Sequence, residues 1–174
     1  MSSINYDLTR IKAVAFDVDG VLSPSMIPLH PDGTPMRMVN IKDGYALQLA
    51  VKMGLQIAII TGADSEAVRK RFEGLGVPDV YLKVATKLPC LQQWMEKYNL
   101  RPEEVAYVGD DIPDYEPMKA VGLAVAPADA AVEIKSIATS VSQFRGGEGV
   151  GRDLLEQIMK AQGLWMKNAK AFGW

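Results

Sequence analysis

The sequence predicts an α/β protein with a Rossmann-like three-layer fold: a central parallel sheet, a β-hairpin flap after the first strand, and no cap domain. Three observations carry this prediction. Short apolar runs rich in Val, Ile and Ala alternate with segments whose apolar residues recur every three to four positions, the pattern of strands and helices in parallel sheets. The 174 residues, 48% of them apolar and 23% charged, are enough for one sizeable core and too few for two, so residues 1–174 are expected to form one domain. A single proline-rich stretch, directly after the first apolar run, breaks the rhythm.

Strands are expected at residues 11–16, 55–60, 80–82, 105–108, 123–125 and 138–141. Residues 65–75 read as a helix stopped by Gly76 and Pro78, and Thr86 is expected to cap another that tolerates Pro89 in its first turn. Both connections are then βαβ crossovers. Near the end, Val150, Leu154, Leu155, Ile158 and Met159 fall on one helical face that Gly163 terminates, leaving a tail at residues 163–174. The interruption, residues 21–40, carries Pro24, Pro28, Pro31 and Pro35. Its Pro31-Asp32-Gly33-Thr34 turn separates two short apolar segments, 26–29 and 36–39, as in a hairpin. Such a flap projects from the carboxyl end of the first strand, where open α/β sheets place their ligands.

Charge and cysteine usage narrow the function. With 19 Lys and Arg against 21 Asp and Glu the net charge is -2, so neither nucleic acid nor a membrane surface is an expected partner. Cys90 is the single cysteine and cannot form an internal disulfide, and residues 1–16 hold no apolar run long enough for a secretion signal or a span. A reduced, cytoplasmic protein is expected.

The chemistry gathers at strand ends. The first strand runs into Asp17-Val18-Asp19-Gly20, and the fourth into Gly109-Asp110-Asp111-Ile112-Pro113-Asp114. If these strands are parallel neighbours, five carboxyl groups converge on one edge. Two unit charges 4 Å apart repel by about 4 kcal/mol at an effective dielectric near 20, so the cluster calls for protons or a cation. An all-oxygen donor set favours Mg²⁺. Asp-x-Asp-Gly can also be a plain turn, and Asp111 and Asp114 can instead cap a helix starting near Pro113. Thr61-Gly62 after the second strand offers a hydroxyl and an unhindered N–H to a phosphate, or an N-cap to a helix. Lys87 heads a helix, where a cation opposes the helix dipole; it suits a phosphate and a carboxylate better than it suits the helix, the alternative being a solvated lysine. His30 beside the flap turn reads as surface, and Cys90 on an apolar helix face as packing.

Taken together, Asp17-x-Asp19-Gly20, Thr61, Lys87 and Gly109-Asp110-Asp111-x-x-Asp114 resemble, in order and spacing, the four motifs of the haloacid dehalogenase superfamily of phosphohydrolases. Short length, the flap, Asn40-x-Lys42-Asp43-Gly44 and Gly146-Gly147-x-Gly149 resemble its capless family of 3-deoxy-D-manno-octulosonate 8-phosphate (KDO 8-phosphate) phosphatases, from residue 11 to about 165. The resemblance implies a two-step phosphoryl transfer with Asp17 as nucleophile and Asp19 as general acid and then base. It implies Mg²⁺ bound by Asp17, the Asp19 carbonyl and Asp110, with Asp111 or Asp114 behind them, and phosphoryl oxygens held by Thr61, Gly62 and Lys87. It also implies a homotetramer whose flaps and tails close neighbouring sites, in lipopolysaccharide precursor synthesis. The sugar acid would be read by Lys42, Asp43, Arg69, Arg71 and residues after Gly146. Ala63 and Glu148 stand where the family often has basic residues, and Arg71 or Lys83 is expected to supply the charge. A nine-carbon sugar acid 9-phosphate is the alternative substrate. A phosphoacceptor receiver domain shares strand-end acids, a Thr and a Lys but has no place for Gly-Asp-Asp-x-x-Asp, and a silent binding scaffold needs no acid/base at Asp19.

Overall fold

The computed structural model describes residues 4–174. Six strands, β1 (Ala13–Phe16), β2 (Gln56–Ile60), β3 (Asp79–Tyr81), β4 (Val105–Val108), β5 (Leu123–Ala126) and β6 (Ser140–Val141), form one sheet in the order β3-β2-β1-β4-β5-β6. Every neighbouring pair is parallel. All six lie where the sequence predicts them, with ends displaced by two residues at most. The helices are α1 (Ile41–Lys52), α2 (Glu66–Glu73), α3 (Lys87–Lys97), α4 (Tyr115–Lys119), α5 (Val132–Ile137) and α6 (Val150–Ala161).

Alternation along the strands sorts the core into two layers. Val14, Phe16, Ile57, Ile59 and Val108 pack with Leu47 of α1, Phe72 of α2 and Leu155 of α6. Ala13, Ala15, Ala58, Ile60 and Tyr107 pack on the other face with Trp94 of α3, Met118 of α4 and Ile134 of α5. The small alanines of that face leave room for Trp94 and Tyr107, the bulkiest of the fully buried side chains. Strand order reverses beside β1: the chain builds outward through β2 and β3, then returns to β4 on the other side. The crevice at the carboxyl ends of β1 and β4 is therefore the switch point at which such sheets bind ligands.

Two helices, α1 and α5, are absent from the sequence prediction, and α4 enters it only as the helix near Pro113 that Asp111 or Asp114 would cap. α1 is apolar nearly all round and carries Gly44 in its first turn, so no clean stripe marks it; Asn40 starts it, its Oδ1 accepting from the N–H groups of Lys42 (2.8 Å) and Asp43 (3.4 Å). α4 and α5 span only five and six residues, too short to show a period. Thr86 occupies the N-cap of α3 as expected but makes no side-chain capping bond.

The flap at residues 21–40 is a minimal hairpin. One antiparallel bridge, Leu29 to Pro35, joins its arms, with the His30 N–H donating to the Thr34 carbonyl and the Met36 N–H to the Pro28 carbonyl. Pro28 and Pro35 have no N–H to donate, so the ladder cannot lengthen. His30 lies exposed at the turn against the Asp32 carboxylate. The tail folds back on its own chain: the Tyr45 hydroxyl donates to the Ala171 carbonyl, and Trp165 and Trp174 meet the Tyr45 ring edge-on at 6.2 and 6.1 Å.

The packing of α6 gives a direct test. Ile158→Ala, at a fully buried position, is expected to lower stability in urea unfolding by about 2–5 kcal/mol. Val132→Ala, at a position 73% exposed, should stay within about 0.5 kcal/mol of the parent.

Candidate active site

β1 delivers Asp17 to the switch point, and the chain then turns sharply. Gly20 has φ +81°, and a Cβ there would stand 1.9 Å from Oδ2 of Asp110. Only glycine allows both the turn and the approach of the second acidic loop. Gly109 has a similar role at the end of β4, where a Cβ would lie 2.3 Å from that of Asp114. The two glycines let the two aspartate loops close on each other. Carboxylate oxygens of Asp17, Asp110 and Asp114 lie within 4.8 Å of one another.

Lys87, at the first position of α3, reaches into this cluster and is 95% buried. Its Nζ is 2.9 Å from Asp17 Oδ2 and 2.7 Å from Asp114 Oδ1. Burial opposes its charge, but the two carboxylates hold the ammonium above its ordinary pKa. Asp114 accepts three hydrogen bonds, from Lys87, from the Tyr107 hydroxyl (2.8 Å) and from the Asp110 N–H (3.1 Å). It therefore orients the lysine and the Asp110 loop and does not cap α4, the alternative open in the sequence. Asp111 is exposed and makes no capping bond either. Tyr107, in the middle of an apolar strand, gives no sign in the sequence of this contact.

Asp17 Oδ1 accepts from the Val18 N–H at 2.7 Å. Burial first, and the neighbouring Asp114 second, push the Asp17 carboxyl up to about 7 despite the lysine. Burial, with Asp17, Asp114 and Asp111 nearby, raises Asp110 to about 8. One ammonium does not balance three acids here. A hard divalent cation fits the remaining oxygen donors, because it would neutralise charge that the metal-free protein meets by holding protons.

A cleft of about 340 Å³ opens on the cluster, lined by Asp17, Asp19, Thr61, Gly62, Ala63, Val84, Lys87 and Pro113 among others. Thr61 is buried, and its Oγ1 accepts from the Ala63 N–H at 3.2 Å. It caps no helix: α2 begins five residues later with Ser65 as its cap, so Thr61-Gly62 is a loop at the cleft wall and not a helix start. Asp19 is paired with Arg37 of the flap through two hydrogen bonds of 2.8 Å. Arg37 escaped the sequence reading because a lone arginine in a proline-rich hairpin carries no motif.

Other predicted binding residues lie elsewhere. Asp43 is 98% buried; its Oδ1 accepts the Arg152 N–H at 2.6 Å, which ties α1 to the first turn of α6, and burial raises its carboxyl to about 6. Arg71 packs over Gly44, where its Nη2 would stand 2.4 Å from an added Cβ, and does not line the cleft. Within this chain Asp43 and Arg71 therefore serve packing between helices and stand outside the cleft that holds Asp17. Lys42 and Glu148 line a separate groove of about 290 Å³ along α6. Arg69 pairs with Glu73 and donates to the Val80 carbonyl. Lys83 pairs with Asp64 at 2.9 Å, in the loop beyond the cleft wall. Half-buried Cys90 has its thiol raised by burial, in keeping with packing.

Comparison with known proteins points the same way. The sequence profile described as haloacid dehalogenase-like hydrolase matches residues 40–122. The 3-deoxy-D-manno-octulosonate 8-phosphate phosphatase KdsC of Escherichia coli K12 is 37% identical over 154 residues, 88% of this chain and 82% of the relative. The crystal structure of the Moraxella catarrhalis phosphatase of that name, in complex with magnesium, phosphate and KDO, superposes with TM-score 0.86 at 30% identity, covering 90% of both chains. The cobalt-bound phosphatase from Haemophilus influenzae superposes with TM-score 0.87 at 29% identity, covering 95% of this chain and 98% of its own. No described helix is long and apolar enough to cross a membrane.

The raised carboxyls predict how stability depends on pH and metal. Both folded values exceed the ordinary carboxyl value of about 4, so the folded protein keeps protons that the unfolded chain has released. Without metal, this contribution is fully present below about pH 4 and is lost as pH rises through 7 and 8. The melting temperature in chelator should therefore fall between pH 6 and 9, and millimolar Mg²⁺ should raise it most at the alkaline end.

Proposed function

For a chain that belongs to the haloacid dehalogenase-like hydrolases and to their KDO 8-phosphate phosphatase family, we propose hydrolysis of 3-deoxy-D-manno-octulosonate 8-phosphate to the free sugar acid and phosphate. The observation that carries this is the convergence of Asp17, Asp19 and Lys87 on one cleft at the switch point, with the Asp110 carboxylate within 4.8 Å of that of Asp17. Its support in relatives is the solved phosphatase bearing KDO, phosphate and magnesium.

The chemistry follows from the residues. A carboxylate oxygen of Asp17 attacks phosphorus; the bond from phosphorus to the sugar oxygen breaks, leaving an aspartyl-phosphate. Asp19 gives its proton to the departing sugar oxygen. In the second step Asp19 takes a proton from water, the water oxygen bonds phosphorus, and the Asp17–phosphate bond breaks. Lys87, fixed by Asp114, lies beside the Asp17 carboxylate, where its charge offsets that of the transferring phosphoryl group. Thr61 and Gly62 form the wall that meets the phosphoryl oxygens. Asp17, Asp110 and the Asp19 backbone carbonyl would hold Mg²⁺, with Asp114 behind, and the ion would supply the positive charge that three acids and a phosphate require.

The wider context is part of the same proposal. Met26, Leu29, Met38 and Ile41 on and beside the flap are 83%, 65%, 54% and 69% exposed, an apolar strip that a homotetramer would cover. The tail would then exchange its packing on α1 for a neighbouring site. A cytoplasmic role in lipopolysaccharide precursor supply completes the picture.

Substrate comparison is the test. With Mg²⁺, kcat/KM is expected to be at least about tenfold higher for KDO 8-phosphate than for a nine-carbon sugar acid 9-phosphate, a difference of about 1.4 kcal/mol in transition-state binding. Chelator, or Asp17→Asn in a folded protein, should abolish turnover. Preference for the nine-carbon acid would overturn the substrate, and full activity of Asp17→Asn would overturn the mechanism.

A further inference from the structure

The carboxylate of Asp19 has one side-chain partner among the described residues, and the flap supplies it. Arg37 Nε donates to Oδ1 and Nη2 to Oδ2, each at 2.8 Å. A fork of two parallel bonds fixes the plane of a carboxylate as well as its position, which a point charge does not. The main chain around Asp19 is held independently, the Gly20 N–H donating to the Ser23 carbonyl at 2.9 Å and the Ser23 N–H to the Val18 carbonyl at 2.8 Å. Backbone bonds therefore fix where Asp19 starts, and Arg37 fixes where its carboxylate points.

Arg37 is turned inward from a strip that otherwise faces out. Its side chain is 11% exposed, whereas its neighbours Met36 and Met38 are 44% and 54% exposed as residues. The segment carrying it has a single cross-arm bridge, at Leu29 and Pro35, and is tied at its foot by Asn40, whose Nδ2 donates to the Gly147 carbonyl at 3.2 Å. A carboxyl group that transfers a proton must sit within hydrogen-bond reach of the leaving oxygen, and a misplacement of 1 Å costs about a hundredfold in rate. In this protein that placement is delegated to the flap.

We propose that Arg37 is a positioning residue, whose two-pronged pair with Asp19 couples the set of the flap to the orientation of the proton-transferring carboxylate. The proposal rests on Asp19 being the acid and base of the reaction. A pair that only stabilised the fold would affect all substrates alike. A positioning pair separates the two in the first step, which kcat/KM reports: the sugar oxygen of KDO 8-phosphate needs the Asp19 proton and the stable phenolate of p-nitrophenyl phosphate does not, whereas hydrolysis of the aspartyl-phosphate, common to both, draws on Asp19 as base.

The experiment compares both substrates in four proteins: the parent, Arg37→Met, Asp19→Asn and the double variant, with circular dichroism as the folding control. Arg37→Met keeps an unbranched stem and removes both donors. Its kcat/KM for KDO 8-phosphate is expected to fall about 10- to 100-fold, and its loss in kcat/KM with p-nitrophenyl phosphate to be at least about tenfold smaller. In the Asp19→Asn background Arg37→Met should change kcat/KM by less than about twofold, because its effect passes through Asp19. Arg37→Lys, with one prong, should fall between and carries the comparison if Arg37→Met does not fold. Equal losses in kcat/KM on both substrates, or independent effects in the double variant, would overturn the proposal. Full turnover of KDO 8-phosphate by Asp19→Asn alone would instead overturn the role of Asp19, and the proposal with it.

Discussion

The ammonium of Lys87 is the interaction on which the rest of the structure depends. A hydrophobic sheet ends in carboxylates that water cannot fully solvate, and Asp17 and Asp114 are 93% and 99% buried. Leaving a buried charge unpaired costs about 3–5 kcal/mol, so the two acids persist side by side because one cation bridges them at 2.9 and 2.7 Å. The bridge leaves a net negative site, and that remainder is the useful part. It draws a second, removable cation, and it keeps Asp17 poised beside a positive charge. Tyr107 and the Asp110 N–H complete the bonding of Asp114, so the lysine cannot turn away.

Around this pair the fold acts as a clamp. β1 and β4 are adjacent and in register, Phe16 beside Val108, which brings their terminal loops to the same level. Gly20 and Gly109 then let those loops interlock, at positions where any Cβ would collide with an aspartate. Behind them α1 and α6 are joined by the Asp43 carboxylate and the Arg152 N–H, and the foot of the flap is tied by Asn40 to Gly147. The site thus has a rigid floor and a lightly bonded flap above it, and the Asp19 carboxylate, paired with Arg37, spans the two.

Much of this was legible in the sequence because it rests on local pattern. The six strands announced themselves as apolar runs, and Lys87 stood out because a cation at a helix start gains nothing from the helix. What stayed hidden depends on distance in space. α1 lacks a stripe because both the sheet and α6 bury it. Asp43 read as a substrate contact beside Lys42, and only the docking of α6 shows that it serves a backbone N–H. Arg71 looked available as a cation until Gly44 of α1 proved to be its resting place. Arg37 and Tyr107 are functional in setting and anonymous in sequence, since their partners lie 18 and seven residues away across the site.

The most direct test of the central pair is the turnover of Lys87→Met, which keeps the length of the side chain and removes the charge. With Mg²⁺ present, kcat is expected to fall on the order of a hundred- to a thousandfold, and the urea midpoint of the metal-free protein to change as Asp17 and Asp114 lose their shared cation. Turnover within about tenfold of the parent would contradict the account, because charge at that point would then be dispensable to the site.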